Sequence, residues 1–222
     1  HQQMAENFKG ENNKALEEGC QAQSLEYDTD NPQPAAETSV VLPGTLADDG
    51  VDPTSLGSAF HELAQIMVET QSKVDEKTID RLCLKNSVPQ RAISRVKQAL
   101  ELWSNSAIRQ AALAHDVVIA ESPFTLQVDS EYGNYVEGAI DLLAYNKGSK
   151  DALVVDYKTG DKGLSATQIY EHHQMQANFY AYVLMQHGFT KVECAFVCVE
   201  VEEAGQPHVA RYTFDVNHQP RL

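Results

Sequence analysis

The hydrophobic pattern changes period near residue 116, and that change limits the fold more than any other feature of the chain. Upstream, apolar residues recur at helical spacing. Thr54 or Ser55 can cap a helix over about 56–72, in which Phe60, Leu63 and Met67 share one face. A second short helix is expected over about 75–85. A third runs from about Pro89 to Ala114, with Ile93, Val96, Leu100 and Trp103 at helical spacing. Downstream the period falls to two. Val117–Glu121, Thr125–Val128, Tyr135–Ala144 and Ala152–Tyr157 read as consecutive strands, with turns at Gly133-Asn134 and Asn146-Lys147-Gly148-Ser149. A helix over about 167–187 and strands at about 191–200 and 208–214 follow. Helices, a run of strands, a helix and further strands define an α+β domain, with a mixed central sheet flanked by helices and an extra N-terminal helical part.

Residues 1–51 lack this patterning. They are rich in Gln, Asn, Glu and Asp, and Asn31-Pro32-Gln33-Pro34 interrupts any regular element. A short helix around Met4–Glu18 is the one element they suggest. This stretch is expected to be an acidic linker or loosely ordered arm, leaving 52–222 as the folded domain. At 222 residues the chain amounts to one domain plus an excess. The start His1-Gln2-Gln3-Met4 resembles a cut in a longer chain and shows no secretory signal.

The formal net charge is −15. Residues 1–50 hold ten acids and two lysines, a net of −8; the rest, with 22 acids and 15 bases, is only mildly acidic. A free-standing nucleic-acid binder would carry a basic excess. No run of apolar residues is long enough for a membrane span. Cys20, Cys83, Cys194 and Cys198 are loosely spaced and read as reduced thiols of a cytoplasmic protein.

Two strands carry the chemistry. In Val154-Val155-Asp156-Tyr157-Lys158-Thr159-Gly160, alternation puts Asp156 and Lys158 on one face and Leu153, Val155 and Tyr157 on the other. Asp141 sits mid-strand among apolar neighbours, where a carboxylate is costly unless paired or bound to a metal. If the two strands are adjacent, Asp141, Asp156 and Lys158 converge. Paired carboxylates bind a hard divalent cation, which polarises a phosphoryl oxygen and lowers the pKa of water, and a neighbouring lysine neutralises developing charge. That is a plan for phosphodiester hydrolysis. A buried Asp–Lys salt bridge closing a strand end explains the same residue types equally well.

The order of the motifs resembles the RecB-like branch of the PD-(D/E)XK nucleases, which have a restriction-endonuclease-like core. It is most similar to the C-terminal nuclease domain of AddA-type and other UvrD/Rep-like helicase–nucleases. The resemblance rests on Gly57-Ser58-Ala59-Phe60-His61, Glu121-Ser122-Pro123-Phe124, Gly138-Ala139-Ile140-Asp141-Leu142-Leu143, Asp156-Tyr157-Lys158-Thr159-Gly160 and Gln176-Ala177-Asn178-Phe179-Tyr180. It implies that His61, Asp141, Asp156 and the backbone carbonyl of Tyr157 ligate Mg²⁺, with Mn²⁺ substituting. Lys158 is then the catalytic lysine. Gln176 and Tyr180 contact DNA or brace the site, and Glu121 is a possible support. His173, Gln176, Tyr180 and Leu184 share one helical face.

Some relatives hold an iron–sulfur cluster through one upstream cysteine and three grouped after the Q-x-x-x-Y helix. Only Cys194 and Cys198 follow that helix here, so no cluster is expected. His172-His173 reads as surface polar, and Glu200–Glu203 as a solvated face. No G-x-x-x-x-G-K-[ST] loop is present, so no ATP site is expected in this chain. The resemblance then implies a helicase motor in the same parent chain, a second helicase–nuclease subunit, and DNA as substrate, in double-strand-break repair. The alternative is a catalytically silent nuclease-fold module that binds DNA or scaffolds a helicase.

Overall fold

The computed structural model describes residues 51–129 and 134–220. Residues 1–50 of the expected arm, including the helix around Met4–Glu18 and Cys20, lie outside them, as does Gly133.

Helix α1 (Pro53–Thr70) starts three residues earlier than the sequence suggests, because Asp52 and not Thr54 or Ser55 is its cap. The Asp52 carboxylate accepts the Thr54 N–H at 3.0 Å, and Pro53 occupies the first turn, where its missing N–H costs nothing. Asp75 caps α2 (Glu76–Lys85) in the same way. The single helix expected over 89–114 is three pieces: a 3₁₀ turn (Gln90–Ala92), α3 (Ile93–Ser104) and α4 (Ala107–Leu113). Ser106 makes the break. Its buried hydroxyl donates to the Trp103 carbonyl at 2.7 Å and accepts the Arg109 N–H at 3.2 Å, ending one helix and capping the next.

The two short strands expected at 117–121 and 125–128 are one continuous β1 (Val117–Asp129). Pro123 interrupts the sequence pattern but not the ladder, because β1 is an edge strand. β2 (Asn134–Tyr145), β3 (Asp151–Lys158), β4 (Lys191–Glu203) and β5 (Gln206–Asp215) complete a sheet ordered β1-β2-β3-β4-β5. The pairs are antiparallel except β3–β4, which is parallel. That parallel pair needs a crossover, supplied by α5 (Ala166–Gln186). The expected mixed α+β sheet flanked by helices is therefore the observed fold.

Each face of the sheet has its own core. Phe60, Leu63, Val96 and Trp103 of α1 and α3 pack on Leu142, Val155, Tyr157 and Val197. On the other face, Ile169, Ala177, Tyr180 and Leu184 of α5 pack on Val154, Phe196 and Cys198. Fully burying one such large apolar side chain contributes about 1.5–3 kcal/mol.

Strand alternation changes sides at one level of the sheet. On β1, Val118 and Ala120 face the first core, but Phe124 and Leu126 face the second. On β2, Leu142 and Ala144 face the first core and Ile140 the second. The change falls at Glu121 and Asp141, between the paired positions Ala120–Leu142 and Ser122–Ile140. Glu121 has a left-handed backbone with φ of 48°, which turns the strand over without losing register. The switch brings both carboxylates to the boundary between the two layers.

Candidate active site

The β2–β3 ladder ends at Leu142–Val155, so Asp141 and Asp156 are the next pair in register, just where the strands part. Five elements converge there, with β1 supplying Glu121, β2 Asp141 and α5 Gln176 and Tyr180. α1 contributes His61, one turn after Gly57. A Cβ on Gly57 would stand 3.0 Å from the Thr159 Oγ1, so glycine lets α1 approach the end of β3. β3 contributes Asp156, Tyr157 and Lys158. Gly160 then takes φ of 97° to turn the chain away, and its N–H donates to Glu200 at 3.3 Å.

The residues form two adjoining networks. In the first, the His61 Nδ1 lies 3.3 Å from Asp141 Oδ1, and its Nε2 lies 3.3 Å from the Tyr157 carbonyl oxygen. The Tyr157 N–H donates to Asp141 Oδ2 at 2.7 Å. Donor atoms of His61, Glu121 and Asp141 all lie within 4.8 Å of one another. In the second, Asp156 Oδ1 faces the Lys158 ammonium at 2.6 Å, and Oδ2 accepts from the Tyr180 hydroxyl at 2.9 Å and Gln176 Nε2 at 3.1 Å. Lys158 donates to Gln176 Oε1 at 2.9 Å, and Gln176 Nε2 also donates to the Tyr180 hydroxyl at 2.7 Å. Lys158 further sits 5.4 Å above the Phe196 ring centre.

The local charge is unbalanced. Burial pushes the Glu121 carboxyl up, and the charge of Asp141 adds to the shift. Burial likewise raises Asp156 against the pull of Lys158. For His61, burial disfavours the imidazolium, but the hydrogen bond and charge of Asp141, with Asp156 and Glu121 behind it, raise its pKa overall. Three carboxylates around one lysine leave room for positive charge. A neutral imidazole can donate from only one nitrogen, whereas both His61 nitrogens face oxygen acceptors. The buried Asp156 Oδ1 also takes no well-directed hydrogen bond, although Lys158 is close. An oxygen-rich set with one imidazole fits a divalent cation.

All sequence-derived candidates are thus near one another, though unequally. His61, Asp141 and the Tyr157 carbonyl meet directly, with Glu121 beside them. Asp156 is turned toward Lys158, Gln176 and Tyr180. Phe124 links the motifs: it lies opposite Gly138 in the ladder and edge-on to Phe179 and Tyr180, with centroids 5.5 and 6.2 Å away. A Cβ on Gly138 would meet the Phe124 ring at 2.6 Å.

Two sequence readings need correction. His173 is not a surface residue: it is 5% exposed and lies 2.8 Å from Asp161, while its neighbour His172 remains exposed. Its shared helical face with Gln176 and Tyr180 already pointed inward. Glu200 is not part of a solvated face either. Its side chain is 8% exposed, pairs with Arg95 at 2.8 Å and holds the Gly160 N–H. Its position on the buried stretch of β4 was the available signal.

No curated protein shows significant sequence similarity to the chain. Among solved structures, it resembles a protein designated SSO0001 at 14% identity and TM-score 0.35, covering 75% of this chain and 67% of that one. It also resembles a Eubacterium rectale protein named "Putative exonuclease" at 12% identity and TM-score 0.42, covering 72% of this chain and 60% of that one. The sequence matches the PD-(D/E)XK nuclease superfamily over residues 37–219, a span that includes all five strands and both networks. The chain that builds this site belongs to the PD-(D/E)XK nuclease superfamily.

Proposed function

We propose that this protein is a Mg²⁺-dependent deoxyribonuclease, active also with Mn²⁺, and the exonuclease domain of a larger cytoplasmic helicase–nuclease acting in double-strand-break repair and recombination. The observation that carries this reading is the junction of the two networks on Asp156-Tyr157-Lys158, which sets a cation-type donor set beside a fixed ammonium group. His61, Asp141, Asp156 and the Tyr157 carbonyl would hold the ion, with Glu121 in support. When bound, it supplies Lewis-acid polarisation of the scissile phosphate and a lowered pKa for the attacking water.

The remaining work belongs to the chain. Lys158, fixed by Asp156 and Gln176, places positive charge where the phosphoryl oxygens gain negative charge. The water oxygen bonds to phosphorus and gives its proton to solvent as the P–O3′ bond breaks, and the 3′-oxygen takes a proton from solvent, leaving a 5′-phosphate and a 3′-hydroxyl. Gln176 has its carbonyl taken by Lys158 and its amide by Asp156 and Tyr180, which favours bracing over direct DNA contact. His61 ties the middle of α1 to the end of β3 through the Tyr157 carbonyl. The net charge of −15 supports delegated DNA grip: a helicase motor in the parent chain and a second helicase–nuclease subunit would feed the strand.

The test uses end-labelled linear single- and double-stranded DNA and a covalently closed circle, with Mg²⁺, Mn²⁺ or EDTA. Linear substrates are expected to be shortened from their ends only with metal, the circle spared, and activity lost in Asp141→Ala. Cleavage of the circle would contradict exonuclease action, and cleavage in EDTA would contradict metal dependence. Absence of both cleavage and any Mg²⁺ or Mn²⁺ effect on melting temperature would favour the silent module.

A further inference from the structure

Beyond the nuclease centre, a second group of ligand-type side chains lies sealed in the core under α5. Asp161 leaves the loop after β3, His173 projects from α5 and Cys198 from β4. They are 5%, 5% and 0% exposed. Their donor atoms all lie within 4.8 Å of one another. Asp161 Oδ2 takes the His173 Nε2 at 2.8 Å and the Cys198 thiol at 3.3 Å. His172 approaches the other carboxylate oxygen, with Nδ1 3.5 Å from Oδ1. The His173 ring is held by stacking flat on Phe196 at 5.1 Å.

We propose that Asp161, His173 and Cys198 form a structural zinc site, with His172 or a water in the fourth position. The donor chemistry selects the metal. A thiolate, an imidazole and a carboxylate suit Zn²⁺, whereas Mg²⁺ takes oxygen ligands alone. The spacing agrees: zinc–ligand bonds of about 2.0–2.3 Å place tetrahedral ligand atoms roughly 3.3–3.8 Å apart, and these atoms need only small shifts from their hydrogen-bonded positions. Burial adds to the case, since a buried carboxylate charge needs a positive partner. An imidazolium at His173 would also supply one, and this is the competing explanation. On metal binding, the Cys198 thiol proton goes to solvent and the His173 ring proton moves to Nδ1.

The position gives the site a role. Cys198 is the ladder partner of Lys158 in the parallel β3–β4 pair, and His173 lies one turn before Gln176. A metal here clamps the loop after the catalytic lysine, the helix of Gln176 and Tyr180, and the neighbouring strand. The proposal does not depend on the nuclease reading.

Cobalt provides a direct test, because only a thiolate ligand gives a sulfur-to-cobalt charge-transfer band, and the nuclease centre has no thiol. The full chain is stripped with chelator and titrated with Co²⁺ in excess Mg²⁺. One equivalent is expected to give that band with intense tetrahedral visible absorption. Both should vanish in Cys198→Ser and His173→Gln, and persist in Cys83→Ser, Cys194→Ser and Asp141→Ala. In excess Mg²⁺, zinc at about a hundredfold above its dissociation constant should raise the melting temperature of the wild type about 5–10 °C further than that of Cys198→Ser. No charge-transfer band in the wild type, a band that survives Cys198→Ser, or a zinc effect on melting temperature equal in the wild type and Cys198→Ser would each overturn the proposal.

Discussion

Replacing Tyr180 with Phe tests the bracing network by removing one atom. The ring stays packed, edge-on to Phe124 at 6.2 Å and stacked near Phe196 at 6.4 Å. What is lost is a hydroxyl that donates to Asp156 at 2.9 Å and accepts from Gln176 at 2.7 Å. A hydrogen bond to a charged group contributes about 1.5–3 kcal/mol and a neutral one about 0.5–1.5. Gln176 still reaches Asp156, and the missing hydroxyl no longer has to be desolvated. The net cost should be about 2 kcal/mol, or about 4–8 °C in melting temperature for a domain of this size. Asp156 loses a donor that favours its charged form, so its already raised pKa should rise further. Urea and thermal denaturation without metal, run on Tyr180→Phe, Asp156→Asn and the double variant, isolate the pair. A coupling above about 1 kcal/mol is expected. A melting temperature within about 1 °C of wild type, with coupling under about 0.5 kcal/mol, would refute the reasoning.

Gly138→Ala sets a methyl group 2.6 Å from the Phe124 ring and should cost about 1–3 kcal/mol by denaturant melts. Phe124→Leu should restore part of that loss, and an additive pair would count against the contact. The raised pKa of His61 gives a pH dependence of opposite sign with and without metal. Without metal, the stability due to His61 is fully present below about 6.5, the unfolded value, and is lost as pH rises through the higher folded value. With metal, which needs the neutral ring, the Mg²⁺-induced rise in melting temperature should shrink as pH falls through that folded value. His61→Gln should abolish the metal-free trend and weaken the metal-dependent one, and a Mg²⁺ effect independent of pH would exclude His61 as a ligand.

Much of this architecture was legible because it depends on periodicity. The alternation of Leu153 to Lys158 correctly separated Asp156 and Lys158 from Tyr157, since a strand buried on both faces leaves little freedom. The common face of Gln176 and Tyr180 on α5 was equally plain. What escaped depends on single atoms. The break after α3 comes from the Ser106 hydroxyl, which spacing does not register. Pro123 suggested a gap because a proline is compatible with a strand only at an edge, and edge position is a tertiary fact. The sequence offers Glu121 only as a possible support, because its place beside Asp141 depends on a left-handed backbone at a non-glycine residue. From the sequence His173 and Glu200 look like solvated polar residues, because their partners, Asp161, Arg95 and the Gly160 N–H, are distant in sequence or lie in a turn.

The most direct test of the central claim separates holding the ion from doing the chemistry. It is single-turnover cleavage of linear DNA at saturating Mg²⁺ by Lys158→Ala beside the wild type. Lys158 belongs to the second network and not to the His61–Asp141 donor set. Cleavage is therefore expected to fall by about 10²–10³-fold, while Mg²⁺ still raises the melting temperature of the variant. A variant that cuts at the wild-type rate would contradict the account.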